Sequence, residues 1–216
     1  MARKRGRPRT TDEPLTRQRI LETALRLVDE HGIEALNMRG LAAELNVDPM
    51  AIYHHVPGGK DALLRGLVEL VFADLSVPQL DGATWQEQVL AYAHAYYAVV
   101  RAHPHLIWYI TGNIELVERA FLDASSEQLY AALFSAGLDE REVLHAASVI
   151  VDYLHGYSLG DLYPVDLNVW EHLKEVVSDD FPLTRRVLAA AQPQAPSFDY
   201  GLKIILMGIE ALAEKR

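Results

Sequence analysis

No cysteine occurs in the 216-residue chain. Disulfides are therefore excluded, and a cytoplasmic home fits. There is no uninterrupted run of about 18 apolar residues, so no segment reads as a membrane span. The basic N-terminus is not followed by an apolar stretch, which excludes a secretory signal. Strand-like alternation is absent, and so is any internal repeat. The marks of an enzyme are missing too: no nucleophile–base–orienter set, no carboxylate pair at a useful spacing, no glycine loop that would cradle phosphate. A small helical enzyme is thus the outlying reading. What remains is an all-α chain, 50% hydrophobic, long enough for a small N-terminal domain and a larger second one.

Spread evenly, the net charge of −10 would argue against nucleic acid. It is not spread evenly. Residues 1 to 76 hold 11 basic and 11 acidic groups, so all the acidity lies in residues 77 to 216. Residues 1 to 20 alone hold seven basic groups against two acidic ones. A basic arm before an acidic body is expected where one end meets phosphate and the other does not. Residues 1 to 14 are too polar to fold alone. Within them, Arg5-Gly6-Arg7-Pro8-Arg9 resembles the core of an AT-hook, whose arginines enter an A·T-rich minor groove. The alternative is a solvated basic tail that adds only phosphate attraction.

Residues 37 to 60 carry the most information. Asn37 reads as an N-cap. Leu41, Ala42 and Leu45 share one helical face. Asn46 suits the left-handed residue of a sharp turn. Asp48 is a second N-cap, followed by Pro49 at the first helical position. A short helix from Pro49 to about His55 then buries Ile52 and presents Met50, Ala51, Tyr53, His54 and His55 elsewhere. This is a helix-turn-helix layout, whose second helix could sit in a major groove. Two small helices around a turn also occur in proteins that never touch DNA.

The run Tyr53-His54-His55-Val56 before Lys60, after Gly40-Leu41-Ala42 and Leu45-Asn46-Val47, resembles the N-terminal domain of the tetracycline-repressor (TetR) family of bacterial transcription regulators. Arg19 to Leu25, through Gly32, fits that domain's first helix. The resemblance covers about residues 16 to 70 and departs at Gly58-Gly59, one residue longer than the usual link to Lys60. It implies that Tyr53, His55 and Lys60 hold phosphates. Met50, Ala51 and His54, on the helix opened by Pro49, would face base edges, by apolar contact to thymine methyls more than by bidentate bonding. Arg39 would reach base or backbone. The helix from about Lys60 to Leu75 would join this domain to the body and pivot to carry a signal.

Further helices are expected at 16–31, 84–102 behind a Thr84–Glu87 capping box, around Trp108 and Tyr109, at 115–136 stopping at Gly137, from Asp139 and Glu142 to about Gly160, around 168–177, at 182–190 and at 198–214. The domains are then an arm over 1–14, a helix-turn-helix domain over 15–76, and a ligand-binding and dimerisation domain over 77–216. The last helix is apolar over most of its circumference, with Leu202, Ile205, Leu206 and Ile209 in one stripe and Ile204 and Met207 outside it. A terminal helix apolar on two sides needs cover on both. Ala147, Ile150, Val151 and Leu154 mark a similar helix. Both resemble the family's C-terminal domain, where two such helices per subunit form a four-helix interface. These eight residues are therefore the expected interface of a homodimer.

Aromatic and histidine side chains crowd residues 92 to 109, and more follow at 152 to 157. Such a stripe is often plain core. The resemblance implies a pocket here, for which Tyr92, Tyr96, His105, Trp108, Tyr109, Asp152, Tyr153 and Tyr157 are the candidate lining. His103 and His105, two apart across a proline, lack the spacing and partners of a metal site and read as a surface turn. Tetracycline-binding members use a His and a Thr with a water-held magnesium. Here Ile110 stands opposite that His and Pro164 opposite a supporting Glu. The resemblance thus implies a different effector, apolar or aromatic, and no metal or cofactor. The full expectation is a dimeric, ligand-responsive regulator, a repressor released from a palindromic operator on double-stranded DNA. An activator, or a regulator without a ligand, stays open.

Overall fold

The computed structural model describes residues 14–73, 75, 77–78, 80–113, 115–116, 124–162, 168–190 and 198–214. Arg5, Arg7 and Pro164 lie outside the described residues. Among the described ones the chain is all α, and local chemistry marks the helix ends. Helix α1 (Arg17–His31) starts where the Thr16 side chain accepts from the Arg19 N–H at 3.1 Å, and ends at Gly32, φ 81°. A one-turn 3-10 helix (Ile33–Ala35) leads to α2 (Met38–Glu44). Asn37 accepts the Gly40 N–H at 2.8 Å there, and Asn46 takes φ 54° in the turn that follows. Asp48 accepts the Met50 N–H at 2.8 Å to open α3 (Pro49–His55). Helix α4 (Gly59–Ala73) begins one residue before Lys60.

The capping box of Thr84 and Glu87 starts α5 (Trp85–Ala102). Helix α6 (Pro104–Thr111) follows after a single residue, His103. Then come α7 (Ala124–Ser135), ending before Gly137, and α8 (Glu140–Leu162). Asp139 and Glu142 exchange bonds at the start of α8, so it begins before Glu142. Helices α9 (Asn168–Val176), α10 (Pro182–Ala190) and α11 (Phe198–Ala213) complete the described chain. No described helix is long and apolar enough to cross a membrane.

Helices α1 to α4 bury Ile20, Leu21, Ala24, Val28, Leu41, Ile52, Leu63 and Leu67 in one apolar core. Each such valine, leucine or isoleucine contributes about 1.5–3 kcal/mol. Helices α1 and α4 meet closely at Gly66, where an added Cβ would stand 2.7 Å from Leu21 Cδ2. In the body, α5 packs on α7 and α8, and α8 on α11.

The expected dimer residues need correcting. Ile150, Leu154 and Leu202 are fully buried within the chain itself, and Ala147, Leu206 and Ile209 nearly so. Val151 and Ile205 are half-buried. The most apolar stripe of each helix serves its own core, because a core surrounds a side chain on more sides than a partner can. The face left over on α11 carries Tyr200, Ile204 and Met207, exposed by 64%, 56% and 60%.

Candidate nucleic-acid interface

Helix α3 is held from behind and bare in front. Ile52 and Val56 are buried, whereas Met50, Tyr53, His54 and His55 are exposed and Pro49 and Ala51 half-exposed. Arg39 on α2 is exposed as well. Apart from the two arm arginines, every DNA-facing candidate is thus at least partly exposed, Lys60 included. The extra residue at Gly58-Gly59 is absorbed by backbone conformation: both glycines have positive φ, 107° and 65°. Side chains resist that region, and glycine does not. A Cβ on Gly59 would stand 3.4 Å from Tyr53 Cε1, so the ring packs over the glycine. Lys60 falls in the first turn of α4, and its Nζ donates to the Ile33 carbonyl at 3.4 Å. Free N–H groups and a lysine at a helix start suit an anion.

The folded domain is not basic overall. Residues 14 to 73 carry six Lys and Arg against eight Asp and Glu. Arg17 is paired with Glu69, and Arg26 with Glu30 and Glu44. The exposed α3 face itself has no lysine or arginine.

The aromatic stretch of α5 builds two ring clusters. Tyr96 stacks on Tyr92, meets Phe72 at the end of α4, and sets its hydroxyl 2.8 Å from His155 Nε2 on α8. Tyr97, Tyr153 and Tyr157 close around Phe198, and the Tyr153 hydroxyl donates to the Phe198 carbonyl at 2.8 Å. Beside the first cluster, Val100, Pro104, Ile107, Trp108, Thr111, His155 and Ser158 enclose a void of about 10 Å³. That is room for one water.

Of the pocket candidates, Trp108 lines this void but is 50% exposed. Tyr96 adjoins it through His155, and Tyr92 is buried behind Tyr96. Tyr109, Tyr153 and Tyr157 are half-buried against the core. His105 and Asp152 are exposed. The residues missed at sequence level are Ser158 and Phe72, while His155 falls in the cluster at 152 to 157 but outside the expected lining; it and Ser158 lie at i and i+3 on one helix, a spacing that would have paired them. Among the described residues no three His, Cys, Asp or Glu side chains gather to hold a metal.

Burial pushes the Tyr96 phenol well above its ordinary range and lowers His155, with Asp152 opposing the latter shift. The native state therefore prefers a neutral His155, while the unfolded chain takes up the proton as the pH falls below 6.5. Stability from this group is complete above that pH and is lost below it. His155→Gln is expected to show a smaller drop in Tm between about pH 7 and pH 5 than the parent chain. Parallel melts of equal slope would refute this.

His103 also needs correction as a surface turn. It is half-buried, and its Nδ1 lies 2.9 Å from Asp29 Oδ2 on α1. The two domains thus touch through a polar pair that no local pattern announces.

Residues 20–67 match the family described as bacterial regulatory proteins, tetR family, and residues 77–213 match the tetracyclin repressor-like C-terminal domain. The chain is 28% identical to the HTH-type transcriptional repressor DrrR1 of Streptomyces coeruleorubidus, over 97% of this chain and 83% of that one. Apo ActR from Streptomyces coelicolor superposes with a TM-score of 0.79 at 26% identity, covering 94% of this chain and 98% of that one. ActR in complex with actinorhodin superposes at 0.73, with 26% identity and 93% and 99% covered. A capped, outward-facing α3 on a three-helix core, an all-α body and matches over both segments together make this chain a member of the TetR family, a DNA-binding transcriptional regulator and not an enzyme.

Proposed function

We propose that the chain is a homodimeric repressor of the cytoplasm that leaves a palindromic operator when a small molecule enters its body. The observation that carries the DNA half is the bared face of α3, anchored through Ile52 and offering Met50, Tyr53, His54 and His55. Met50 and Ala51 meet thymine methyls, His54 meets base edges, and Tyr53, His55 and Lys60 hold phosphates. Arg39 reaches base or backbone at the flank. The domain of residues 15–76 does this work, and residues 77–216 sense and dimerise.

The partner face is the exposed side of α11, with Tyr200, Ile204, Met207 and Gly208, beside Val149, Gly156 and Gly160 of α8. A Cβ at Gly156, Gly160 or Gly208 would meet nothing within 4 Å. Glycine inside a helix costs about 1 kcal/mol. With no neighbour in its own chain to require it, a close-approaching partner helix is the economical reason.

The effector enters between α5, α6 and α8, next to Trp108, His155 and Ser158. Apolar and aromatic walls with a few polar groups suit an aromatic molecule with a hydrogen-bonding substituent. ActR has been solved with actinorhodin bound, which supports a sensing role for this body. Ligand cavities of about 300 Å³ or more far exceed the present void of about 10 Å³. Binding must therefore part these helices. Phe72 against Tyr96 would pass the movement to α4 and mis-space the half-sites.

The test is selection of bound duplexes from a random pool at stated salt. A palindromic consensus is expected, and Tyr53→Ala should lose about tenfold or more of the specific affinity. Failure to enrich any sequence, or equal recovery by the variant, would remove the DNA-binding role of α3.

A further inference from the structure

The Asp29–His103 pair has a position that mere surface contact does not require. Asp29 stands near the end of α1, which is tied to the rest of the helix-turn-helix domain at three places: Leu21 against Gly66, Arg17 on Glu69 and Arg26 on Glu44. Any rotation of α1 carries α2, α3 and α4 with it. His103 is the one residue between α5 and α6. Its N–H donates to the Val99 carbonyl at 3.0 Å and its own carbonyl accepts from the Ile107 N–H at 3.1 Å. The backbone of His103 is thus clamped by both helices, and a shift of α6 carries it along. From its other turns, α6 contributes Ile107, Trp108 and Thr111 to the void described above.

The pair is also chemically exacting. Its side chains are only 24% and 26% exposed, and Asp29 Oδ1 is buried without a hydrogen-bond partner. A carboxylate in this setting depends on its remaining bond, because the desolvation cost of the group stays when the bond goes. The bond is directional and weakens steeply as it lengthens or bends. A domain seated slightly differently on the body would lose it.

We propose that the Asp29–His103 hydrogen bond is a positioning contact that sets the angle of the DNA-binding domain on the body, and that displacement of α6 reaches the recognition helix by breaking it. This rests on the DNA-binding reading above and adds a second route from body to operator, through α1, beside the one through α4. Neither residue touches DNA or effector.

The test uses the full chain and the duplex that the parent protein selects. Asp29→Ala and His103→Ala should each weaken operator binding about tenfold, within the usual range of coupling between sites. The double variant should be no weaker than either single one, since both remove the same bond. Binding to an unrelated duplex should stay within about twofold of the parent. His103→Asn, whose amide N–H can stand where Nδ1–H stood, should recover most of the loss, which a purely packing role for the ring would not allow. If an alanine variant loses helicity at the assay temperature, Asp29→Leu, close in shape but without an acceptor, carries the same comparison. Alanine variants that bind the operator within about twofold of the parent, singles whose losses add, or an asparagine variant as weak as alanine would each overturn the proposal. If the parent selects no duplex at all, it is the DNA-binding reading that falls.

Discussion

A chain carrying Ile204→Arg is expected to stay folded and become monomeric. Ile204 is 56% exposed on α11 and supports nothing in its own core, so the arginine can turn to water in the monomer. In the proposed dimer the same face is covered by the partner, and the arginine would be buried there without a counter-charge. Operator binding should fall by about a hundredfold or more, because two half-sites are no longer held by one particle. Light scattering after gel filtration, a thermal melt and an operator titration decide it together. Leu206→Ala is the control: only 7% exposed, it should lower stability by about 2–5 kcal/mol and leave the folded fraction dimeric. If Ile204→Arg remained a dimer, the exposed face of α11 would not be the interface.

Deleting residues 2 to 9 is expected to have the second large effect. That segment holds Arg3, Lys4, Arg5, Arg7 and Arg9, while residues 14 to 73 are short of positive charge by two. Each phosphate contact contributes about 0.9 to the slope of log affinity against log salt. Removal of the arm should therefore flatten that slope by up to about 4.5 and weaken operator binding by about 10² to 10³ at 0.15 M salt. The two readings of the arm then separate. Arginines in a narrow minor groove would give the parent a preference for A·T-rich flanks that the deletion loses. A solvated tail would lower all duplexes equally. An unchanged salt slope would mean that the arm does not meet DNA.

Much of this was legible because the deciding interactions are short in sequence. Asn37 with Gly40, Asp48 with Met50 and Thr84 with Glu87 are contacts across two or three residues. The left-handed turn at Asn46 needed one residue of the right type. The helix-turn-helix surface followed, since Ile52 inward forces Met50, Tyr53 and His54 outward on so short a helix. At Gly58-Gly59 the sequence signalled an irregularity; the positive φ values explain how the chain absorbs it and still starts α4 beside Lys60.

Other assignments depended on what stands across from a residue. The apolar pattern of α11 told that two sides need cover, but Leu202 and Ile204 are both aliphatic, and only packing against α8 sends the first inward. Which aromatics surround the void was undecided for the same reason. Tyr96 and His155 are 59 residues apart, and Asp29 and His103 are 74 apart. The sequence by itself determined the all-α class, most helix ends, the outward face of the helix opened by Pro49 and the charge of the N-terminal segment, because these rest on local backbone chemistry and on charge. The tertiary structure alone decided which apolar face is core and which is exposed, where the aromatic rings converge, and how α6 meets α1 through His103 and Asp29. Those outcomes arise from contacts between elements distant in the chain, and residue spacing carries no record of them.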